Sequence, residues 1–401
     1  MDRLFALAEI GAIEGGGCAR LALTDADRLG RDLVVSWMRD LGLDVTVDVV
    51  GNVVGTWNVG SGAPVMTGSH IDTVRTGGKY DGNYGVLAGL EVIQTLQETG
   101  VRPERPVAVA FFTNEEGARF APDMMGSLAY VGGMPVEEVL DTIGIDGASV
   151  GDELERIGYS GSMPCPAIPP AAFVELHIEQ GPVLEESGVR IGAVTGVQGI
   201  SWQEVTITGQ SNHAGTTPTR LRHDPGLVAS RIAVRMREIA VREGGHQVCT
   251  VGKIDLHPNL INVVPATATL TLDIRNTDEA VLRRVEAEMA GFIAKACADE
   301  GCMHSSRVLA RFEPVAFHPG MVSLVESIAT EQGNTTGRLP SGAGHDAQML
   351  ARVCPASMIF VPSVRGISHN PAEHTDPVDL EAGCNVLLHL IARLALEGVP
   401  S

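Results

Sequence analysis

Residues 68–112 read GSHIDTVRTGGKYDGNYGVLAGLEVIQTLQETGVRPERPVAVAFF. A strand ends near Gly68, a loop rich in Gly and Asp follows, and Val86, Leu90, Ile93 and Leu96 then recur at helical spacing. The unbroken apolar run Val107-Ala108-Val109-Ala110-Phe111-Phe112 reads as a strand buried on both faces, since a half-exposed strand would alternate with polar residues. Strand, helix and continuous apolar strand in succession predict an α/β sheet covered by helices on both sides.

Upstream, Thr24 is placed to cap a helix with Leu29, Leu33, Trp37 and Leu41 on one stripe. Val45, Val47 and Val49 alternate into a Gly51-Asn52 turn and a second strand, which predicts a hairpin. Downstream, from about residue 202 to 313, the rhythm changes. Val205 and Ile207 mark a strand, and Leu227, Ile232, Met236 and Ile239 mark a helix after Pro225. Two strands follow around residues 249–256 and 266–274; Thr277 is placed to cap a helix with Val281, Leu282, Val285, Met289 and Phe292, and a last strand lies near 307–312. The order β-α-β-β-α-β is the ferredoxin-like arrangement. The expected organisation is therefore an α/β body made of residues 1–201 and 315–401, with residues 202–314 inserted as an α+β domain.

Charge and cysteine usage narrow the function. With 49 acidic against 29 basic residues the net charge is −20, which excludes a general nucleic-acid binder, because duplex binding needs clustered cations. An anionic small substrate stays open, since a few buried cations can set a local field against the global one. Acids interrupt the first residues, Met1-Asp2-Arg3-Leu4-Phe5-Ala6-Leu7-Ala8-Glu9, where a signal peptide needs an apolar stretch. No apolar run approaches the roughly 20 residues of a membrane span. The seven cysteines are scattered without a CxxC pair, so neither a disulfide framework nor a cysteine zinc site is expected, and a reducing cytoplasm is the expected home.

The ionisable residues fall at the carboxyl ends of the expected strands, where open α/β sheets place their ligands. Ser69-His70-Ile71-Asp72 and Lys79-Tyr80-Asp81-Gly82 follow the first of these, and Thr113-Asn114-Glu115-Glu116 follows Phe112. A strand around residues 173–176 delivers His177-Ile178-Glu179-Gln180, and Met358-Ile359-Phe360-Val361 leads to Ser368-His369-Asn370. Imidazole mixed with carboxylate suits Zn²⁺ or a similar borderline metal. A carboxylate shared between two such ions fixes them about 3.5–4 Å apart, and each ion lowers the pKa of water between them. Adjacent residues at a strand end point in opposed directions, so in the pair Glu115-Glu116 one can ligate while the other acts as base. Taken singly, each feature also fits an ordinary turn or a solvated acid pair; the joint placement carries the argument.

Seven strings carry a resemblance: GSHIDTVRTGGKYDGNYGVLAGLE (68–91), TNEEGARFAPDMMGS (113–127), ELHIEQGPVLEESG (175–188), GQSNHAGTTPTRLRHD (209–224), NVVPATATLTLDIRN (262–276), SGAGHDAQML (341–350) and ISHNPAEHT (367–375). Together they resemble the hydantoinase/carbamoylase branch of the dizinc amidohydrolases, which includes N-carbamoyl-L-amino acid hydrolases, β-ureidopropionase and allantoate amidohydrolase. The resemblance implies a mixed-sheet, dizinc aminopeptidase-like catalytic domain with a ferredoxin-like dimerisation or lid insert. It implies His70 and His177 as ligands of one metal, Glu116 and His369 of the other, and Asp81 bridging. Glu115 resembles the general base, Asp72 the carboxylate that orients a ligand imidazole, and Gln180 a substrate contact. His213 looks like the group that stabilises an oxyanion from the partner subunit of a homodimer. Asn262 and Arg275 look like a clamp on the substrate carboxylate, and a guanidinium suits that role by bonding a carboxylate twice. His345 resembles a further substrate or oxyanion contact.

The implied activity is hydrolysis of a ureido C–N bond in an N-carbamoyl-L-amino acid, a small carboxylate substrate, with two divalent cations per subunit. Zinc leads, and manganese, cobalt or nickel tolerate the same ligands. Allantoate hydrolysis, N-acyl or amide-conjugate hydrolysis, and a metal-binding protein without catalysis are the alternatives; the intact Glu115 speaks against the last. Tyr84, His374 and the stretch Gln198-Gly199-Ile200-Ser201-Trp202 depart from the family pattern and bear on the substrate rather than the chemistry.

Overall fold

The computed structural model describes residues 1–400. Chain contacts divide them into two compact units, one formed by Met1–Gly196 with the chain from Ala316 onward, the other by Val197–Val315. No helix of the described residues is long and apolar enough to cross a membrane, and all seven cysteines are free thiols.

The larger unit is built on a mixed sheet. In spatial order its strands include Asp44–Val47, Val53–Trp57, Val107–Phe112, Val65–His70, Ala172–Ile178, Ala356–Val361 and Ile191–Val197, with Thr336–Ser341 also paired to Ile191–Val197. Four central strands, Val107–Phe112, Val65–His70, Ala172–Ile178 and Ala356–Val361, run parallel. Every residue in these four is buried. Because successive side chains face opposite sides, such burial requires cover on both faces. Parallel strands also end together: His70 pairs with Phe112, and His177 with Phe360. Their carboxyl ends therefore share one edge, and that edge carries the site.

Local structure follows the sequence in most places. The hairpin joins Asp44–Val47 to Val53–Trp57, and helix Asn83–Glu98 buries Val86, Leu90, Ile93 and Leu96. Helix Asp25–Asp40 is capped by the Thr24 side chain, yet it buries a different face from the one its leucines mark. Leu29 is 48% exposed, while Val34, Val35 and Met38 are inside with Asp27 and Arg31. The buried side is recruited by an ion pair: Arg31 Nε donates to Asp27 Oδ2 at 2.8 Å and Nη1 to the Gly51 carbonyl at 2.7 Å. Counting apolar residues misses a face whose charged members are paired inside.

The second unit is a four-stranded antiparallel sheet in the order Met303–Phe312, Gly199–Thr208, Thr267–Asn276, Val248–His257. Two helices, Pro225–Glu243 and Glu279–Glu300, connect its strands in β-α-β-β-α-β sequence. Its first strand begins at Gly199, so the change of rhythm read at Trp202 falls inside that strand. Thr267–Asn276 alternates without a break, and Ala268, Leu270, Leu272 and Ile274 form one core with Ile232, Met236, Ile239, Leu282, Val285 and Met289. Burying each large aliphatic side chain contributes about 1.5–3 kcal/mol. Two details differ from the sequence reading. Leu227 is 46% exposed, and the second helix is capped by Asp278, which accepts from Ala280 and Val281 N–H, rather than by Thr277. One carboxylate oxygen at the cap position accepts from both amides at once.

Candidate active site

Two groups of potential ligands meet on one carboxylate. Asp81 Oδ1 lies 3.1 Å from His177 Nε2 and 3.6 Å from His70 Nε2, while Oδ2 lies 3.3 Å from His369 Nε2. Glu116 Oε2 completes the second group, 3.3 Å from His369 Nε2. Donor atoms of His70, Asp81 and His177 lie close enough to hold one ion, as do those of Asp81, Glu116 and His369. Glu115 Oε2 stands 3.3 Å from His70 Nε2. These residues, with Asp123, Gln180 and His345, line a cavity of about 110 Å³.

Backbone carbonyls set the imidazole tautomers. His70 Nδ1 faces the Asp72 carbonyl at 2.9 Å, and His177 Nδ1 faces the Ile178 carbonyl at 2.8 Å. A carbonyl only accepts, so each Nδ1 carries a proton and each Nε2 is the nitrogen that faces the cavity. His177 Nε2 also accepts the Gly82 N–H at 3.1 Å. Gly82 holds φ +64°, and a Cβ there would overlap the His70 ring. Only glycine follows Asp81 at this distance from the imidazole.

The electrostatics call for cations. Four carboxylates line the cavity and no Lys or Arg does. Burial, reinforced by Asp81, pushes the Glu116 carboxyl up to about 8, and burial with neighbouring Asp346 and Glu116 raises Glu115 well above its usual range. Burial alone would raise Asp81 too, but the imidazoles of His177, His369 and His70 around it hold it well below the ordinary carboxylate range. The hydrogen bond to Asp81 lifts His369 to about 9. Carboxylates and imidazoles crowded together away from water, each holding its proton more tightly than usual except Asp81, form a donor set that fits divalent ions of the zinc type once those protons leave.

Other expected residues take distinct places. The Asp72 carboxylate is 3.9 Å from His70 Nδ1; it accepts the backbone N–H of Glu115 at 3.2 Å and of Glu116 at 3.3 Å. Asp72 thus orients the imidazole through its carbonyl and the two glutamates through its side chain. Gln180, with φ +58°, donates from Nε2 to Asp81 Oδ2 at 2.8 Å. His345 is buried, packs edge-on against His177 at 4.6 Å and contacts Ser341 Oγ at 2.9 Å; burial and His177 keep its pKa well below normal.

His213, Asn262 and Arg275 belong to the second unit. His213 Nδ1 accepts the N–H of Gly215 at 3.0 Å and of Thr216 at 3.2 Å, so its Nε2 carries the proton outward as a donor. The Asn262 carbonyl accepts the Ala214 N–H at 2.9 Å, which ties the two loops. Arg275 Nε donates to Asp273 Oδ1 at 3.0 Å, and its guanidinium lies 5.9 Å from the Trp202 ring. Sequence reasoning gave no role to Ser368, whose Oγ lies 3.2 Å from Asp81 Oδ2, or to Glu373. Neither has a spacing that would announce it, since their partners are backbone amides and a carboxylate remote in sequence.

A cluster of imidazoles and carboxylates at the carboxyl edge of a mixed α/β sheet is the site of a metal-dependent hydrolase. A family model described as Peptidase family M20/M25/M40 matches residues 66–393. The chain is 40% identical over 396 residues to an N-carbamoyl-L-amino-acid amidohydrolase of Rhizobium meliloti, spanning 98% of this chain and 95% of that protein. It is 37% identical over 397 residues to an allantoate amidohydrolase of Bacillus subtilis (strain 168), spanning 97% and 95%. A crystal structure of a hydantoinase/carbamoylase family amidase from Burkholderia multivorans matches with a TM-score of 0.96 at 46% identity, over 99% of this chain and 97% of that one. The chain belongs to peptidase family M20/M25/M40, in its hydantoinase/carbamoylase branch, and is a metal-dependent amidohydrolase.

Proposed function

We propose that the protein hydrolyses the ureido C–N bond of an N-carbamoyl-L-amino acid, consuming one water and releasing ammonia, carbon dioxide and the amino acid. The observation that carries this reading is the meeting of two three-residue ligand groups on Asp81, with Glu115 beside them. His70 and His177 would hold one divalent cation, Glu116 and His369 a second, and Asp81 both. Zinc is the first choice, with manganese, cobalt and nickel compatible with the same donors. Bound there, the cations would lower the pKa of water and polarise the scissile carbonyl.

The chain's own residues supply the rest. Glu115 takes a proton from the attacking water and returns it to the departing nitrogen. His213 donates its Nε2–H to the developing oxyanion, an interaction worth most when the charge is largest. Arg275 and Asn262 hold the substrate carboxylate, while Gln180 and His345 contact the substrate beside the cations. A homodimer in which the second unit of one subunit completes the site of the other is part of the same proposal.

The relative named as an N-carbamoyl-L-amino-acid amidohydrolase supports this substrate class, and the one named as an allantoate amidohydrolase supports a second. The deciding experiment is a panel of N-carbamoyl-L-amino acids, allantoate and N-acyl amino acids, assayed on protein reloaded with each metal in turn. Preferred turnover of an N-carbamoyl-L-amino acid is expected. Preference for allantoate moves the assignment within the branch, and full metal loading without turnover of any of them overturns it.

A further inference from the structure

The loop that carries His369 also carries an acid that the proposed reaction does not use. Glu373 is 5% exposed. Its Oε1 accepts the backbone N–H of Tyr80 at 3.0 Å and of Asp81 at 3.2 Å, and its Oε2 accepts the Ser368 hydroxyl at 2.9 Å. One carboxylate thus fastens the main chain of Asp81 to the residue before His369.

Two further observations show how closely the loops are drawn together. A Cβ on Gly78 would overlap the Glu373 carboxylate, so the backbone approaches as near as glycine permits. His369 holds φ +53°, a left-handed conformation that costs a non-glycine residue on the order of 1 kcal/mol and persists only where surrounding contacts over-determine it. The loop turns back on itself through Glu373 N–H to the Asn370 carbonyl at 2.9 Å and Ala372 N–H to Asn370 Oδ1 at 2.9 Å. The other polar ties between the loops are single contacts: Ser368 Oγ to Asp81 Oδ2 at 3.2 Å, His369 Nε2 to Asp81 Oδ2 at 3.3 Å, and, at 3.4 Å each, Thr76 Oγ1 to the His369 carbonyl and the Tyr80 hydroxyl to His374 Nδ1. The Glu373 carboxylate is the stronger fastening.

We propose that Glu373 is a positioning residue that sets the separation of Asp81 and His369, acting by its reach to two backbone amides and Ser368 rather than by its charge. The proposal rests on the reading of Asp81 and His369 as ligands of a common cation. Outer contacts of this kind govern affinity because they fix where the ligand atoms point before the ion arrives.

Three variants separate reach from charge. Glu373→Gln keeps the reach and an acceptor oxygen but loses the charge; Glu373→Asp keeps the charge and loses a methylene of reach; Glu373→Ala loses both. Each protein is stripped, reloaded in a chelator-buffered Zn²⁺ series and assayed for bound metal, and the metal-free forms are melted in parallel. We expect Glu373→Ala and Glu373→Asp to bind Zn²⁺ about 10- to 100-fold more weakly, Glu373→Gln to stay close to the parent, and the metal-free melting temperatures to agree. Glu373→Asp binding as tightly as Glu373→Gln overturns the proposal. So does parental affinity in Glu373→Ala, or a metal-free melting temperature that falls in step with affinity. If Glu373→Ala does not fold, the Gln–Asp comparison still decides. Asp81→Asn and His369→Ala run alongside: if they too keep full metal, the ligand reading fails, whereas metal loss in them alone defeats only the role of Glu373.

Discussion

His70 Nε2 and Glu115 Oε2 stand 3.3 Å apart at the carboxyl edge of two adjacent parallel strands. The imidazole turns Nε2 to the cavity because its other nitrogen is committed to a carbonyl, and the glutamate is held by its backbone to Asp72. In the proposed role of base, a glutamate with its main chain so fixed could move a proton without leaving its place.

Replacing Glu115 with Gln keeps its size and the Asp72 contact to its amide. We expect bound metal to match the parent and kcat to fall about 10²- to 10⁴-fold, the range for losing a general base. Metal analysis and steady-state kinetics check this; an unchanged kcat removes Glu115 from the mechanism.

If Arg275 clamps the substrate carboxylate as proposed, Arg275→Ala deletes a charged donor to it. Such hydrogen bonds contribute about 1.5–3 kcal/mol, so KM for carboxylate substrates should rise roughly 10- to 100-fold while metal content holds. An N-carbamoyl amine without the carboxylate should be turned over equally by both proteins. Unaltered KM in the variant refutes the clamp.

Gly82→Ala places a methyl group into the His70 ring at a positive φ. We expect about 1–3 kcal/mol lost from stability through the strained backbone, with weaker metal binding because His70 must move. Thermal melting and chelator competition report the two effects separately.

Without metal, the Glu116 carboxyl titrates near 8 against 4.5 for the free group, and His369 near 9 against 6.5. Both hold a proton more tightly in the folded chain. Their stabilisation is therefore complete below the unfolded values and is lost as pH rises through the folded ones. The metal-free melting temperature should fall between about pH 5 and pH 9. Bound metal should remove that slope, since ligation requires these groups deprotonated. A metal-free protein that grows more stable across this window contradicts the buried cluster.

The sequence by itself determined the two periodicities, hence the α/β sheet covered on both faces and the β-α-β-β-α-β unit, because apolar spacing reports which faces are buried. It also supplied the donor inventory at four strand ends. Only the tertiary structure decided that helix Asp25–Asp40 buries Arg31 in place of Leu29, that Asp72 grips the amides of Glu115 and Glu116, and that Glu373 ties Asp81 to Ser368. Each of these rests on a hydrogen bond to a backbone group or a paired charge distant along the chain. A carbonyl or an amide looks the same at every position of a sequence, so a bond made to one leaves no pattern until the chain has folded.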